Sequence, residues 1–580
     1  NTVYDELRNK KGFDGVELGL QSLKGVGRLV EIYGLKGDKL SEPNPKEYQD
    51  DKVTAHSDDE VPSIAIIPFK NKGAEEDVFY AYGISADLIK DCSGAGLIRV
   101  AGLKDIENLD YKILQYDEIA SKLFVRYIAH GSLWKMDDMF QLSVELYDTK
   151  DKKVVWSDRW QEDWDNLPSI KGSLSDGLLK ALSTKPKVEK KTDTNNAEAY
   201  EFYLRAKHKY DKCENTDDTK ISRGLLQKAI ELDDNLIAAK SLLGYTHQEE
   251  GDYDKAMEIY TPALKQAEEL GDKHGIGNLL NKIGLVYEFK NNYDKALDYY
   301  IHSLDTTKEI GDKSEMWDSL DNIGYIYSYN IDSDMALDCF TRSLKIAEEL
   351  SEKLRIGLSL IGIGRVYATK GDYDRALDYH TRSLKITEEC GDKSVMPLSL
   401  DSIGKTYMGK GDYDKAIDCH TRELKIAKEL GNKFFIGLCR YYIGNCHFFK
   451  KNSLEAIKSY KKALDIWREL ENKPQETWTL SVLILSELKS GNRNQQENLN
   501  VISKLLSNND IVKADVHFVN WNLYQVYNEL NEDKKAIGYL EVAYDEIIKQ
   551  ADNLQSSKDR ESFLNNVRTN REILEEWEKV

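Results

Sequence analysis

A spacing of forty residues runs through the second half of the chain and limits what it can become. Gly244, Gly284, Gly324, Gly364, Gly404 and Gly444 stand forty apart. Ala256, Ala296, Ala336, Ala376, Ala416 and Ala456 keep the same register, as do Leu264, Leu304, Leu344, Leu384, Leu424 and Leu464. Tyr287, Tyr327, Tyr367 and Tyr407 follow their glycines by three, with His247 and His447 at the outer two places. A fixed period of this size means stacked supersecondary units, each burying its apolar face against the next. Within 274–313, Leu280, Ile283, Gly284 and Tyr287 share one face of a helix, and Ala296, Leu297, Tyr300 and Leu304 one face of a second. Asn291-Asn292-Tyr293-Asp294 supplies the turn and N-cap between them, and Gly311-Asp312-Lys313 a glycine C-cap. Gly284 and Ala296 are expected to be small because the two helices approach closely there.

The bulk numbers narrow the function. At 580 residues the length prior is several domains, and the apolar fraction of 41% is enough for packed cores. Lys and Arg number 81 against 101 Asp and Glu, a net charge of −20. This argues against nucleic-acid binding, which needs a basic surface to displace phosphate counterions. The seven cysteines are scattered without a CxxC pair, which points to reduced thiols and a cytoplasmic chain. No apolar run approaches the ~18–20 residues that span a bilayer. The chain opens on Asn1 with polar residues and no initiator Met, as though continuing from something longer.

Ahead of the periodic region the composition changes twice. Residues 1–42 read as helix, strand, loop, strand with no core of their own: Tyr4–Leu7, then Val16–Gly19, then Leu29–Leu35. Gly25-Val26-Gly27 is a lone GxG without the third Gly and following helix of a phosphate loop. Residues 43–60 carry Pro43, Pro45 and Asp58-Asp59-Glu60, a solvated linker. From Val61 strand and helix patterns alternate and then give way to a run of strands closed by a helix. The strands lie at Ile64–Phe69, Leu97–Val100, Val125–Ala129, Gly131–Trp134, Met139–Leu146 and Val154–Ser157; helices lie at 75–91, 116–123 and 165–182. This predicts a small mixed α/β domain over 61–183. His130 is its one histidine and is expected to be structural. A polar linker, 184–196, leads to helical sequence from Ala197 onward.

Three resemblances attach to these segments. Val3–Lys10, Leu18-Gly19, Leu23-Lys24-Gly25-Val26 and Val30-Glu31-Ile32-Tyr33 resemble the C-terminal end of a class III adenylate/guanylate cyclase catalytic domain, with Leu29 where that family often has Pro. The resemblance implies a cyclase remnant over 1–42, closed by a terminal helix and two strands. The family's catalytic residues would all lie upstream, in a parent protein that is a cyclase and dimeric. The runs SIAIIPF, YGISADLI, GLIRVAG, VRYIAHGSL, FQLSVELYD and VVWSDRW resemble a TolB N-terminal-like/FlgO-like domain, a non-enzymatic α/β module in that family. The forty-residue unit resembles the longer form of the tetratricopeptide repeat, here over 197–557, with Ala229 and Ala263 at the ordinary spacing of 34. Gly491, Tyr527 and Ala536 carry the phase onward past a degenerate unit, 477–516. Residues 558–580, with Phe563, Ile573, Leu574 and Trp577, are expected to form a capping helix. The expected fold is therefore multidomain: a cyclase remnant, a small α/β domain and an all-α repeat solenoid.

Resemblance to the repeat family also implies where a partner would bind. The first helix of each unit would line a groove through positions six and three before the Gly and one and four after it. The candidate residues are Asn278, Asn281, Asp318, Asp321, Arg365, Asp401, Lys405, Tyr441 and Asn445, at positions that vary while the packing positions do not. The expected occupant is a protein or peptide segment. Cys419-His420, Cys446-His447, His380 and Cys439 raise the question of zinc. His380 and His420 stand where Tyr260, Tyr300, Phe340 and Tyr460 stand, and Cys339 and Cys419 where Tyr299 and Tyr379 stand. Zinc sites want ligands paired two to four apart, so these side chains are expected to pack, with no metal, cofactor or catalytic residue in the chain. Two functions follow: the regulatory and interaction region of a nucleotide cyclase, or a free-standing repeat scaffold.

Overall fold

The computed structural model describes residues 14–22, 29–36, 62–94, 98–136, 139–182, 194–213, 216–290, 292–329, 332–350, 352–390, 395–507, 516–552, 554 and 557–580. The helix expected near Tyr4, the linker 43–60 and most of the linker 184–196 lie outside them. The chain forms two compact units. The first holds Asn1–Ile283, Asp305–Glu315 and Glu348–Glu352; the second holds Gly284–Leu304, Met316–Ala347 and Lys353–Val580. Among the described residues no helix is long and apolar enough to cross a membrane.

In the first unit β1 (Asp14–Ser22) and β2 (Leu29–Lys36) make an antiparallel pair, from Asp14 opposite Lys36 to Ser22 opposite Leu29, with an irregularity between Glu17 and Gly19. A second sheet contains β3 (Ser63–Ile66), β4 (Lys70–Asn71), β5 (Arg99–Val100), β6 (Tyr127–Met136), β7 (Met139–Asp148) and β8 (Lys153–Asp163). Its order is β5-β3-β6-β7-β8, with β4 also on β6. β3 runs parallel to β5 and β6, and β6, β7 and β8 form an antiparallel meander. This is the mixed α/β region that the alternation of patterns predicts. It gains β4 and the short helix Leu103–Glu107, which carry too few residues to leave a pattern.

The burial explains the sequence patterns. β3 is covered on both faces and reads as an unbroken apolar run, Ile64-Ala65-Ile66 being fully buried. β7 is covered on one face, so Phe140, Leu142, Val144 and Leu146 alternate with polar residues. Each such side chain contributes roughly 1.5–3 kcal/mol on leaving water. The helices Val78–Gly94 and Leu167–Ala181 add Ile84, Leu88, Leu174 and Leu178 to this core, and the helix Ala197–Asp211 adds Tyr200 and Leu204. Buried Asp87 accepts hydrogen bonds from Tyr200 (2.6 Å) and Lys207 (2.8 Å), which fasten that helix to the α/β region. His130 stacks on Tyr116 with ring centroids 4.4 Å apart, and burial lowers its pKa.

From Ala197 the described chain is helical. The forty-residue units are helix pairs such as Lys353–Thr369 with Tyr373–Cys390, and Lys433–Phe449 with Ser453–Glu469. The second helices open on an N-cap one residue upstream. Asn292, Asp332, Asp372 and Asp412 each accept a bond from the backbone N–H three residues on. The degenerate unit keeps both helices, Lys473–Lys489 and Gln496–Ser507, the second shortened. The C-terminal segment differs from the single capping helix expected. Extended backbone at Val567 (φ −75°, ψ 113°) breaks it into Ser557–Asn566 and Arg568–Trp577. Trp577 stacks on Tyr544 at 4.7 Å, as a cap would. The segment also runs back to earlier repeats. Asp559 accepts from Lys370 (2.7 Å), and Arg568 lies 4.5 Å over the Phe449 ring and bonds the Tyr413 hydroxyl.

Candidate partner-binding face

The signature glycines are explained by a ring, not by helix backbones meeting. The side chain sixteen residues after each Gly packs directly against it. A Cβ on Gly284 would sit 2.6 Å from Tyr300 Cε1, and one on Gly444 would sit 2.6 Å from Tyr460 Cε1. Phe340, His380 and His420 occupy the same place over Gly324, Gly364 and Gly404. A buried tyrosine there needs a partner for its hydroxyl. Tyr300 donates to Glu288 (2.7 Å) and Tyr460 to Asn445 (2.8 Å). Glu288 and Asn445, both on the expected groove face, are therefore held by the packing column. Burial raises the pKa of Glu288, and its bond from Tyr300 opposes that rise.

The junctions between repeats carry a second column. Ser303 bonds Ser319 (3.0 Å), Ser343 bonds Ser359 (2.9 Å) and Ser383 bonds Ser399 (2.9 Å), all six residues fully buried. In each pair one hydroxyl comes from a second helix and the other from the first helix of the next unit.

The positions three before the glycines are buried. Asn281, Asp321, Asp401 and Tyr441 all lie inside, as does Asn445 one after Gly444. Asn278, Asp318 and Arg365 are partly exposed, and the Lys405 side chain is 43% exposed. Asn278 belongs to the first unit, where it accepts from Ser241 (2.6 Å), donates to Glu315 (3.1 Å) and lines a cavity of about 1030 Å³ with Asp87, Lys90 and His274. In the second unit the residue after each Gly is Leu285, Tyr325, Arg365, Lys405 and Asn445 in turn. Arg365 lies 4.7 Å over the Tyr325 ring, and Lys405 lies 4.6 Å over the Tyr442 ring while pairing with Asp401 at 2.7 Å. Asp318 pairs with Arg355 at 3.2 Å. The pKa of Asp321 is pushed up to about 7, first by burial and then by the like charge of Asp318, against the pull of Arg365 and Arg355.

One junction departs from the rest. Where the three junctions before it place serines, the unit after Gly404 places Glu423 opposite Cys439, and where most units place Tyr or Phe it places His420. Glu423, His420 and Cys439 are completely buried, and Asp401 nearly so. His420 Nδ1 and Glu423 Oε2 are 3.0 Å apart. One donor atom from each of Asp401, His420 and Glu423 lies within 4.8 Å of the others. Burial pushes the Glu423 pKa up to about 7, and burial with nearby Glu423 pushes the Cys439 thiol above its ordinary range. His420 does fill the ring column, but register alone does not reveal this convergence. The signal was present in the sequence as a Glu in a serine column.

Comparison with known proteins bears on the repeats. The family model described as tetratricopeptide repeat matches residues 235–309, 317–389 and 396–469, so the chain carries tetratricopeptide repeats. No curated protein matches the chain. Several solved structures are similar to it. A Rap protein complexed with competence and sporulation factor is 16% identical over 61% of this chain and 99% of its own, with TM-score 0.48. Aspartyl phosphate phosphatase F from Bacillus subtilis is 13% identical over 62% of this chain and 94% of its own, with TM-score 0.43. The signal-transduction ATPase PH0952 from Pyrococcus horikoshii, which has a tetratricopeptide repeat sensor, is 16% identical over 74% of this chain and 64% of its own, with TM-score 0.42.

Proposed function

We propose that this chain is an interaction scaffold whose tetratricopeptide repeats hold a protein or peptide segment on the first helices of the second unit. The observation that carries this reading is the row one place after the glycines: it varies from repeat to repeat and brings Tyr325, Arg365 and Lys405 to partly open positions in successive units. Two cations and an aromatic ring at this pitch suit an extended segment bearing carboxylates and an apolar anchor. Buried Asp321, Asp401 and Tyr441 would support that surface from beneath, and Asp318 would flank it. Asn278 and Asn281, in the first unit, remain separate candidates. A random peptide library displayed on phage and panned on the chain tests the reading. It should enrich acidic sequences that bind the chain but not a variant carrying Arg365→Ala and Lys405→Ala of unchanged helicity. Equal binding to both proteins would reject this surface.

A second reading places the scaffold downstream of a nucleotide cyclase. It is favoured by the antiparallel pair β1–β2, two strands where the resemblance to the end of a cyclase domain implies two strands. In this reading residues 1–42 close a cyclase domain, 61–183 are a TolB-like module, 197–557 the array and 558–580 its end, in a cytoplasmic protein whose cyclase portion is dimeric. Joining the upstream coding sequence to this chain and assaying cyclic nucleotide production decides it.

A further inference from the structure

The junction that breaks the serine column suggests a metal. At the three preceding junctions two hydroxyls hydrogen-bond across the seam. At this one, Asp401 Oδ1 and Glu423 Oε1 are buried without a hydrogen-bond partner. Unpaired carboxylate oxygens out of contact with water are costly unless a cation meets them. Lys405 does not serve both, since it lies on Asp401 Oδ2 at 2.7 Å. Asp401, His420 and Glu423, on the helices Met396–Lys410 and Tyr413–Glu429, bring one donor atom each within 4.8 Å of the others, and Cys439 on Lys433–Phe449 lies against Glu423. Carboxylate, imidazole and thiolate donors together are the donor set of zinc.

We propose that Asp401, His420 and Glu423, with Cys439 as fourth ligand, hold one divalent zinc ion that clamps two neighbouring repeats. The ion takes the place of the proton shared between His420 Nδ1 and Glu423 Oε2, 3.0 Å apart and so close to the edge of a zinc tetrahedron, and also meets the unpartnered Oε1 of the same carboxylate. Asp401 offers Oδ1 while its Oδ2 stays on Lys405, which orients the ligand as outer-shell partners do. Four ligands in a closed, buried setting make the ion structural. The clamp lies beneath the accessible row and meets the proposed partner surface through Lys405, which pairs with Asp401.

Within this chain the repeats provide substitutions that suit the fold. Glu423→Ser restores the residue found at Ser303, Ser343 and Ser383, and His420→Tyr restores the ring found at Tyr300 and Tyr460. The full chain, purified with chelator and dialysed against micromolar zinc, should take up about one equivalent by elemental analysis and melt higher than without the ion. Either substitution should abolish that uptake and the zinc-dependent shift while leaving the circular dichroism unchanged. All seven cysteines remain in these variants, so binding by thiols elsewhere would persist in them. Failure of the unsubstituted chain to retain zinc, or equal retention by Glu423→Ser, overturns the proposal. Should His420→Tyr fail to fold, Glu423→Ser alone decides.

Discussion

Four successive repeat junctions share one backbone arrangement and differ in two side chains. At 303/319, 343/359 and 383/399 a pair of buried serines closes the seam, whereas at 423/439 a glutamate faces a cysteine. The serine seams are uncharged and hydrogen-bonded, Ser343 and Ser383 also donating to the carbonyls of Phe340 and Gly357 and Ser359 accepting from Trp317. The odd seam concentrates ionisable groups where water does not reach. The difference teaches that a packing column fixes a position in the fold without fixing its chemistry. Small polar residues there join helices; larger ionisable ones place potential ligands in the same space.

Substitutions can break this contrast, and those at the shared glycines should act most strongly. Gly284→Val places branched carbons against Tyr300 and should cost about 3 kcal/mol or more in denaturant unfolding. A cost below about 1 kcal/mol would mean the ring moves aside freely. Next, rebuilding the odd seam with Glu423→Ser and Cys439→Ser should stabilise the chelated protein by about 1–3 kcal/mol, because a buried carboxylate with one unpartnered oxygen is exchanged for a hydrogen-bonded pair. Ser343→Ala at an ordinary seam should have the opposite sign and cost about 1 kcal/mol.

A titration sharpens the comparison further. Asp321 has its folded pKa raised to about 7 by burial, so the folded state holds a proton that the unfolded state has released above about pH 4. Its contribution is complete below the unfolded pKa and is lost as pH rises through the folded one. Asp321→Asn should therefore flatten the fall in stability between about pH 4 and 7 and gain on the order of 2 kcal/mol at pH 8, read by melting across pH. The smallest effect should come from Asp559→Asn. It removes one of two acidic partners of Lys370 and should loosen Ser557–Asn566 by about 1 kcal/mol in hydrogen exchange, without unfolding the repeats.

Much of this architecture was legible as periodicity. The forty-residue beat located the helix pairs, their caps and the ring column, because each is a local pattern repeated. The reason for the glycines was not legible: a ring sixteen residues away is as compatible with the period as a close backbone approach. Nor was depth. Asp321, Asp401 and Tyr441 stand on the face expected to line a groove, yet they lie under it, since burial depends on how neighbouring repeats stack and not on the phase of one helix. The C-terminal segment misled for a related reason. Trp577 signals a cap, but the pairing of Asp559 with Lys370 joins residues too far apart in sequence for any pattern to link.

Hydrogen exchange on the chain with and without a bound acidic peptide selected by panning tests most directly whether the accessible row of first helices is where a partner sits. The account predicts new protection in Lys353–Thr369 and Met396–Lys410, the helices that carry Arg365 and Lys405. Protection confined to the second helices, Tyr373–Cys390 and Tyr413–Glu429, would contradict it.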